Sequence, residues 1–271
     1  MRLQEYGVGI FEATATKSAL KKLLKKKCIS VDGITASTAT MIRGGETIHL
    51  NLPTIQKPTK FLELPLEVRY EDEFLAAINK PAGIAVSGNK FRTIANALPF
   101  NLKDSSESDS CIPQPVHRLD FPTTGILLVG KTASCIRALN RMFEDKQVDK
   151  TYYAITMGIM EPIDEIRVPL DEKIAHTTFQ ILASVPSEKY GQLNLLRLHP
   201  KTGRRNQLRR HLAGIGHPIL GDRKYGSEFK GTRLYLHAAS LEFRHPIQER
   251  LIYIEASLPP YFNKIFPSIN N

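Results

Sequence analysis

From Ser18 to Cys28 the chain reads Ser-Ala-Leu-Lys-Lys-Leu-Leu-Lys-Lys-Lys-Cys, and helical spacing gathers Leu20, Leu23 and Leu24 on one face while lysines fill the rest. The pattern predicts a short helix with a basic outer surface. Two strand-like segments follow, 29–34 and 41–50, with Asp32-Gly33 and Gly44-Gly45 as turn residues. Pro53, Pro58 and Pro65 among polar residues mark 51–64 as a linker.

Beyond the linker, 67–72 and 74–78 are expected to pair as strands and to end in the turn Asn79-Lys80-Pro81-Ala82-Gly83. The polar, acidic stretch 101–110 reads as a surface loop. Val116-His117-Arg118-Leu119-Asp120 runs into Phe121-Pro122-Thr123-Thr124-Gly125 and then into the apolar Ile126-Leu127-Leu128-Val129, a tight turn between two strand-like segments. Thr132 can cap a helix in which Ile136, Leu139 and Phe143 recur at helical spacing. Segments 150–159, 192–198, 233–243 and 250–256 read as strands. Strands outnumber helices and do not alternate with them, which predicts a mixed α+β fold and argues against a doubly wound sheet.

A length of 271 residues accommodates one large domain, or a small domain followed by a medium one. With 42% hydrophobic and 24% charged residues, wholesale disorder is excluded. The formal charge of +10 and a pI near 9.5 point to a polyanionic partner, and nucleic acid ranks before membrane because no amphipathic stretch is long enough to anchor. Cys28, Cys111 and Cys135 form no Cys-x-x-Cys pair, so neither a disulfide framework nor a cysteine zinc site is indicated, and a reducing, cytoplasmic setting is expected. Met1 to Gly7 lacks the apolar core of a signal peptide, and no segment approaches the roughly 18 apolar residues of a membrane span.

The turn at 116–125 sets one carboxylate beside a guanidinium at a strand end, which makes Asp120 the first candidate for chemistry. A second cluster, Lys201-Thr202-Gly203-Arg204-Arg205-Asn206-Gln207-Leu208-Arg209-Arg210-His211-Leu212, holds five Lys and Arg residues and no acid. Leu208 and Leu212 predict a short helix that buries them while Arg209 and Arg210 project along its flanks. Thr202-Gly203 at its start would aim free N–H groups at an anion. None of the eight histidines forms His-Glu-x-x-His, and His199, His211 and His217 lack metal-ligand spacing, so no metal is expected. Phosphate-loop, dinucleotide and serine-elbow motifs are also absent, which removes nucleotide hydrolysis, hydride transfer and serine hydrolysis.

Together these residues resemble the RluA-type family of pseudouridine synthases. Its first motif is similar to Tyr70-Glu71-Asp72 with Asn79-Lys80-Pro81-Ala82-Gly83, and its catalytic motif to His117-Arg118-Leu119-Asp120 through Thr123-Thr124-Gly125. Lys150-Thr151-Tyr152 resembles its Lys-x-Tyr strand. Thr202-Gly203-Arg204 through Arg209, with Gly221-Asp222 and Tyr225-Gly226, resembles its arginine motif, and 234–238 its closing strand. The likeness spans about 65–256. Residues 1–57 are similar to the small RNA-binding domain named after a ribosomal small-subunit protein, leaving 58–271 as the catalytic domain.

The resemblance implies a mixed, mostly antiparallel central sheet with flanking helices behind a small N-terminal α/β domain. It implies an isomerase that detaches uracil from ribose within ribosomal or transfer RNA, rotates it and rejoins it through a ring carbon, needing no cofactor. A carboxylate suits that task because it can stabilise or attack an oxocarbenium-like sugar. By analogy Arg209 pairs with Asp120, Tyr152 meets the target base, Arg118 fills the gap in the RNA, and Leu236 floors the pocket. His117, Arg204 and Gln207 join the substrate contacts, Lys25 and Lys26 contact RNA from the first domain, and a monomer is expected. Two positions depart from the family pattern: Asn206 replaces a usual histidine and Thr124 a usual serine. A non-catalytic RNA-binding protein on the same scaffold, or a nucleoside hydrolase, are the rival readings; the hydrolase lacks a second carboxylate placed as general acid.

Overall fold

In the computed structural model of the protein, which describes residues 1–51, 61–161, 165–226 and 233–267, the chain divides into two units, Met1–Thr59 and Lys60–Asn271. The boundary expected between 57 and 58 lies outside the described residues, as does most of the expected linker.

In the first unit α1 (Leu3–Tyr6) and α2 (Lys17–Lys25) accompany a three-stranded antiparallel sheet in the order β2-β1-β3, with β1 at Ile29–Val31, β2 at Ile34–Thr35 and β3 at Ile48–Leu50. Thr16 caps α2 by accepting the N–H of Ala19, and Leu20 and Leu24 are buried with Leu3, Ile29, Ala36 and Ile42. Lys21, Lys22, Lys25, Lys26 and Lys27 stay exposed, as the pattern predicted. Asp32 and Gly33 both adopt left-handed conformations (φ 48° and 79°), which a two-residue hairpin requires. The segment 41–50 is shorter as a strand than expected. The Glu46 carboxylate accepts the N–H groups of Arg43 and Gly44, which closes 43–46 into a loop, leaving 48–50 as the strand and Met41 as an isolated bridge to Arg2.

The second unit is built on one ten-stranded sheet: β4 (Glu67–Glu71), β5 (Leu75–Lys80), β6 (Ser110–Pro115), β7 (Thr124–Thr132), β8 (Asp149–Met157), β9 (Glu165–Ile166), β10 (Thr177–Ser187), β11 (Gly191–Pro200), β12 (Leu236–Arg244) and β13 (Leu251–Glu255). Their order is β4-β5-β7-β12-β8-β11-β10-β9, with β6 paired to β7 and β13 to β12. Among the described residues every pairing of named strands is antiparallel except β7 with β12, so the sheet is mixed and mostly antiparallel, and the fold is α+β. Four helices flank it: α3 (Ile94–Asn101), α4 (Ala133–Glu144), α5 (Gln207–Gly214) and α6 (Pro260–Asn263). No helix among the described residues is long and apolar enough to cross a membrane.

The central strands are covered on both faces. Leu75, Ala77, Ile126 and Leu128 pack with Cys135 and Leu139 of α4, while their alternating neighbours Ala76, Ile78, Leu127 and Val129 pack with Ile94 and Leu98 of α3. Thr132 caps α4 through the N–H of Cys135, as expected. Several elements were not anticipated: α3, which holds Pro99 within it, β6, the short β9, the long β10 and α6. Residues 61–64 are also not linker, since the N–H of Leu62 bonds the carbonyl of Asn96 and Leu62 and Leu64 pack against the α3 cluster.

The parallel pairing of β7 with β12 is what brings the turn after Asp120 against β12, and it depends on Gly125. That residue has φ 114°, and a Cβ there would overlap the carbonyl oxygen of Ala238, its partner in the ladder. Gly125→Ala should therefore destabilise the second unit by about 3 kcal/mol or more. Urea unfolding checks this, and an unchanged midpoint would show that the two strands can separate freely.

Candidate active site

The turn that carries Asp120 is fastened to β7 before it reaches the carboxylate. The N–H of Val116 bonds the carbonyl of Leu128 (3.1 Å), and the N–H of Leu128 donates back to Nε2 of His117 (2.9 Å). The His117 ring also stacks on Phe143 at 4.7 Å, and burial pushes its pKa down to about 3, so it is a neutral acceptor with its proton on Nδ1. Leu119 is buried, and the N–H of Thr123 closes the turn on the carbonyl of Asp120 (3.1 Å). These anchors leave the Asp120 side chain at the mouth of a cleft, 16% exposed.

Across the cleft α5 supplies the cation. Arg209 donates from Nε and Nη2 to both oxygens of Asp222 (2.7 and 2.8 Å), and from Nη1 to Oδ2 of Asp120 and Oδ1 of Asn206 (both 3.3 Å). Asp222 is almost fully buried. Burial alone would raise its pKa, but the Arg209 guanidinium and the N–H groups of Lys224 and Tyr225 prevail and hold it below the usual carboxylate value. The Tyr225 ring lies 5.1 Å from the guanidinium carbon and accepts the Asn206 amide at its hydroxyl (3.0 Å). Oδ1 of Asp120 accepts no hydrogen bond among the described residues.

β8 and β12 form the floor, because their register sets Tyr152 opposite Ala238 and Ala154 opposite Leu236. Leu236 is buried, and Tyr152 packs where two apolar clusters meet. Burial, with Asp120 adding to it, pushes the Tyr152 pKa well above a phenol's usual value. The phenol therefore stays protonated and serves as a hydrogen-bond donor and an aromatic face. Lys80 at the end of β5 is fully buried, and its Nζ donates to the carbonyls of Pro81, Ile84 and Phe121. Burial lowers its pKa to about 8, with Asp120 opposing the fall.

The cleft holds about 470 Å³ and is rimmed by Arg118, Lys146, Lys150, Lys201, Arg204 and Arg205. Asp120, Tyr152, Arg209, Arg118, His117, Leu236, Arg204 and Gln207 all line it, whereas Lys25 and Lys26 belong to the first unit. Four expectations need correction. The polar reach of His117 is directed at the backbone of β7. Gln207 is likewise committed: its amide oxygen accepts from Thr202 Oγ1 and the N–H of Arg204, and its amide nitrogen donates to the His176 carbonyl and Thr177 Oγ1. Thr202-Gly203 does not begin the helix, since Asn206 turns left-handed (φ 54°) and α5 starts at Gln207. Arg209 is buried at the helix face rather than along an exposed flank. Sequence reading also missed the parts played by Asp222, Asn206 and Lys80; the signal for Asp222 was an acid after a glycine in a segment otherwise rich in cations.

Asp120, Arg209 and Tyr152, the three residues that the resemblance named together, line one basic-rimmed cleft, and Arg209 bonds Asp120. Residues 75–214 match the family described as RNA pseudouridylate synthase. This chain belongs to that family. It is similar to "Ribosomal large subunit pseudouridine synthase C" of Vibrio cholerae, with 30% identity over 92% of this chain and 87% of the relative. "Ribosomal large subunit pseudouridine synthase D" of Nitrosomonas europaea is 31% identical over 94% and 81%, and "tRNA pseudouridine synthase C" of Vibrio vulnificus 33% over 74% and 94%. Among solved structures, "Human RNA Pseudouridylate Synthase Domain Containing 4" superposes with a TM-score of 0.60 at 27% identity, covering 72% of this chain and 90% of that one. The protein is thus an isomerase that acts on RNA.

In this synthase Asp222 should carry the placement of Arg209. Asp222→Asn removes one partner of a buried ion pair and should cost roughly 3 kcal/mol in urea unfolding, with a fall in turnover. Wild-type stability together with wild-type turnover would contradict the assignment.

Proposed function

We propose that this chain converts uridines of ribosomal or transfer RNA to pseudouridine with Asp120 as the nucleophile. The observation that carries this reading is the free Oδ1 of Asp120, set in the cleft with Arg209 on its other oxygen and Tyr152 close enough to feel its charge. In the reaction the ribose exchanges its bond to a ring nitrogen for one to a ring carbon, and one proton passes from that carbon to the nitrogen. Atoms balance within the nucleotide, so the chemistry asks for no redox cofactor or incoming water.

The target base leaves its stack at a cost of a few kcal/mol. Arg118, which is exposed and meets no carboxylate among the described residues, occupies the space vacated in the RNA. Tyr152 lies against the extruded base and donates a hydrogen bond, Leu236 supports it from below, and Arg204 with its basic neighbours holds phosphates. The lysine face of α2, Lys25 and Lys26 included, adds a second RNA contact from the first unit. Ribosomal RNA is favoured over transfer RNA because the two ribosomal relatives match more than nine tenths of this chain, a likeness that must extend into the first unit. Three unpaired cysteines agree with a cytoplasmic enzyme, and the cleft is complete in one chain, as a monomer requires.

Asp120→Asn should abolish pseudouridine formation while RNA affinity stays within about twofold. Pseudouridine mapping of ribosomal and transfer RNA from cells carrying either form reads the outcome, and equal turnover by the variant would sink the role given to Asp120. Changing Lys25, Lys26 and Lys27 together to Glu should weaken RNA binding and flatten its dependence on salt. A salt slope equal to that of the parent would reduce α2 to a solvated surface.

A further inference from the structure

The two most exposed phenylalanines among the described residues are Phe121 (59%) and Phe91 (54%). Phe121 directly follows Asp120. Phe91 lies in the exposed run Lys90-Phe91-Arg92, and neither of these cations meets a carboxylate among the described residues. The loops that hold the two rings are joined, because the N–H of Gly83 donates to the carbonyl of Phe121 (2.9 Å) and the buried Nζ of Lys80 reaches the same oxygen (3.3 Å).

Both backbones are fixed although the rings stand in water. The turn around Phe121 and Pro122 is closed by the bond from Thr123 to Asp120. At the other loop, a parallel bridge joins Ala85 to Thr93, the N–H of Ile94 bonds the carbonyl of Ala85, and that of Ala95 bonds Val86. The carbonyl of Phe91 itself accepts two bonds, from the N–H of Thr93 (2.9 Å) and the side chain of Asn96 (2.7 Å). An exposed aromatic ring on a clamped backbone loses little conformational freedom when a flat partner stacks on it.

We infer that Phe121, Phe91, Lys90 and Arg92 form a second RNA-binding rim beside Asp120, on which nucleotides flanking the target uridine stack while their phosphates meet the two cations. The inference rests on the reading that RNA enters the cleft at Asp120. Rings interleaved with cations match both parts of a nucleotide, the π-face of any base and the backbone charge. This rim is distinct from the arginine cluster that begins at Lys201, because it is built from the loops after β5 and before β7.

The test uses the full chain and poly(U), titrated over a range of salt concentrations. Phe91→Ala and Phe121→Ala should each weaken binding about fivefold or more without changing the salt slope. Lys90→Gln with Arg92→Gln should instead lower the slope of log K against log salt by about 1.4, the value for two phosphate contacts on a single strand. All four side chains are exposed, so thermal unfolding should not change, and that measurement confirms the variants are folded. Unchanged affinity and slope in folded variants, or no binding of poly(U) by the parent at low salt, would overturn the rim. Pseudouridine formation by the parent in total RNA is read separately. If product forms while the variants bind as the parent does, only the rim falls; if no product forms, the catalytic reading falls and the poly(U) result still decides the rim.

Discussion

One buried guanidinium shared unequally between two carboxylates organises this protein's active site. Asp222 takes the two short parallel bonds of Arg209, and Asp120 receives a single longer one. The inequality matters chemically. A carboxylate gripped at both oxygens would be a stable ion pair and a poor nucleophile, whereas one tethered at a single oxygen keeps a lone pair for carbon. Asp222 absorbs most of the directional demand of the arginine, so Asp120 is held in place without being spent.

The sheet makes that geometry possible. Asp120 precedes β7, Tyr152 lies on β8, Leu236 opens β12, and Arg209 is on a helix that follows β11. These elements are far apart in sequence, and they converge because β12 lies between β7 and β8 in the sheet. The parallel contact of β7 with β12 is short, just His237 with Thr124 and Ala238 with Gly125, and it needs a glycine so that two backbones can approach. Thr124 contributes as well: its hydroxyl lies 2.8 Å from Nδ1 of His237, whose Nε2 faces the carbonyl of Ala256, so the departure from the usual serine preserves a buried hydroxyl.

Much of this was legible from the residues. The turn around Asp120, the cap at Thr132, the leucines of α2 and α5 and the strands β5, β7, β8, β11, β12 and β13 follow from apolar periodicity and turn chemistry, and the RluA-type likeness named Tyr152 and Arg209. What was missed has physical causes. Helix α3 contains Pro99, which lacks the N–H that would bond the carbonyl of Ala95 and so breaks the local helical signal, and the helix is held instead by the burial of Ile94, Ala97 and Leu98. Strand β10 has only weak in-and-out alternation and ends near Pro186, so its pairing with β11 is decided by tertiary contact. Asp222 was in view as part of a motif, but its bond to Arg209 spans a turn and a helix and has no local pattern. His117 and Gln207 show the converse: they sit in the right motifs, and line the cleft, while their hydrogen bonds go to the backbone of β7 and to Thr202, Arg204, His176 and Thr177 respectively.

Lys80 adds a second positive charge near Asp120 and a link to the turn that bears it. Its Nζ gathers three carbonyls, one of them from Phe121, so the strand end after β5 is tied to the turn bearing Asp120. Removing an ammonium from water is costly, which is why its pKa falls to about 8, and the field of Asp120 is what resists a further fall. Asp120 opposes the fall in the Lys80 pKa, and Arg209 adds a directly bonded cation on the carboxylate. Two cations, one directly bonded at a single oxygen and one held by carbonyls, leave the second oxygen of Asp120 without a hydrogen bond among the described residues.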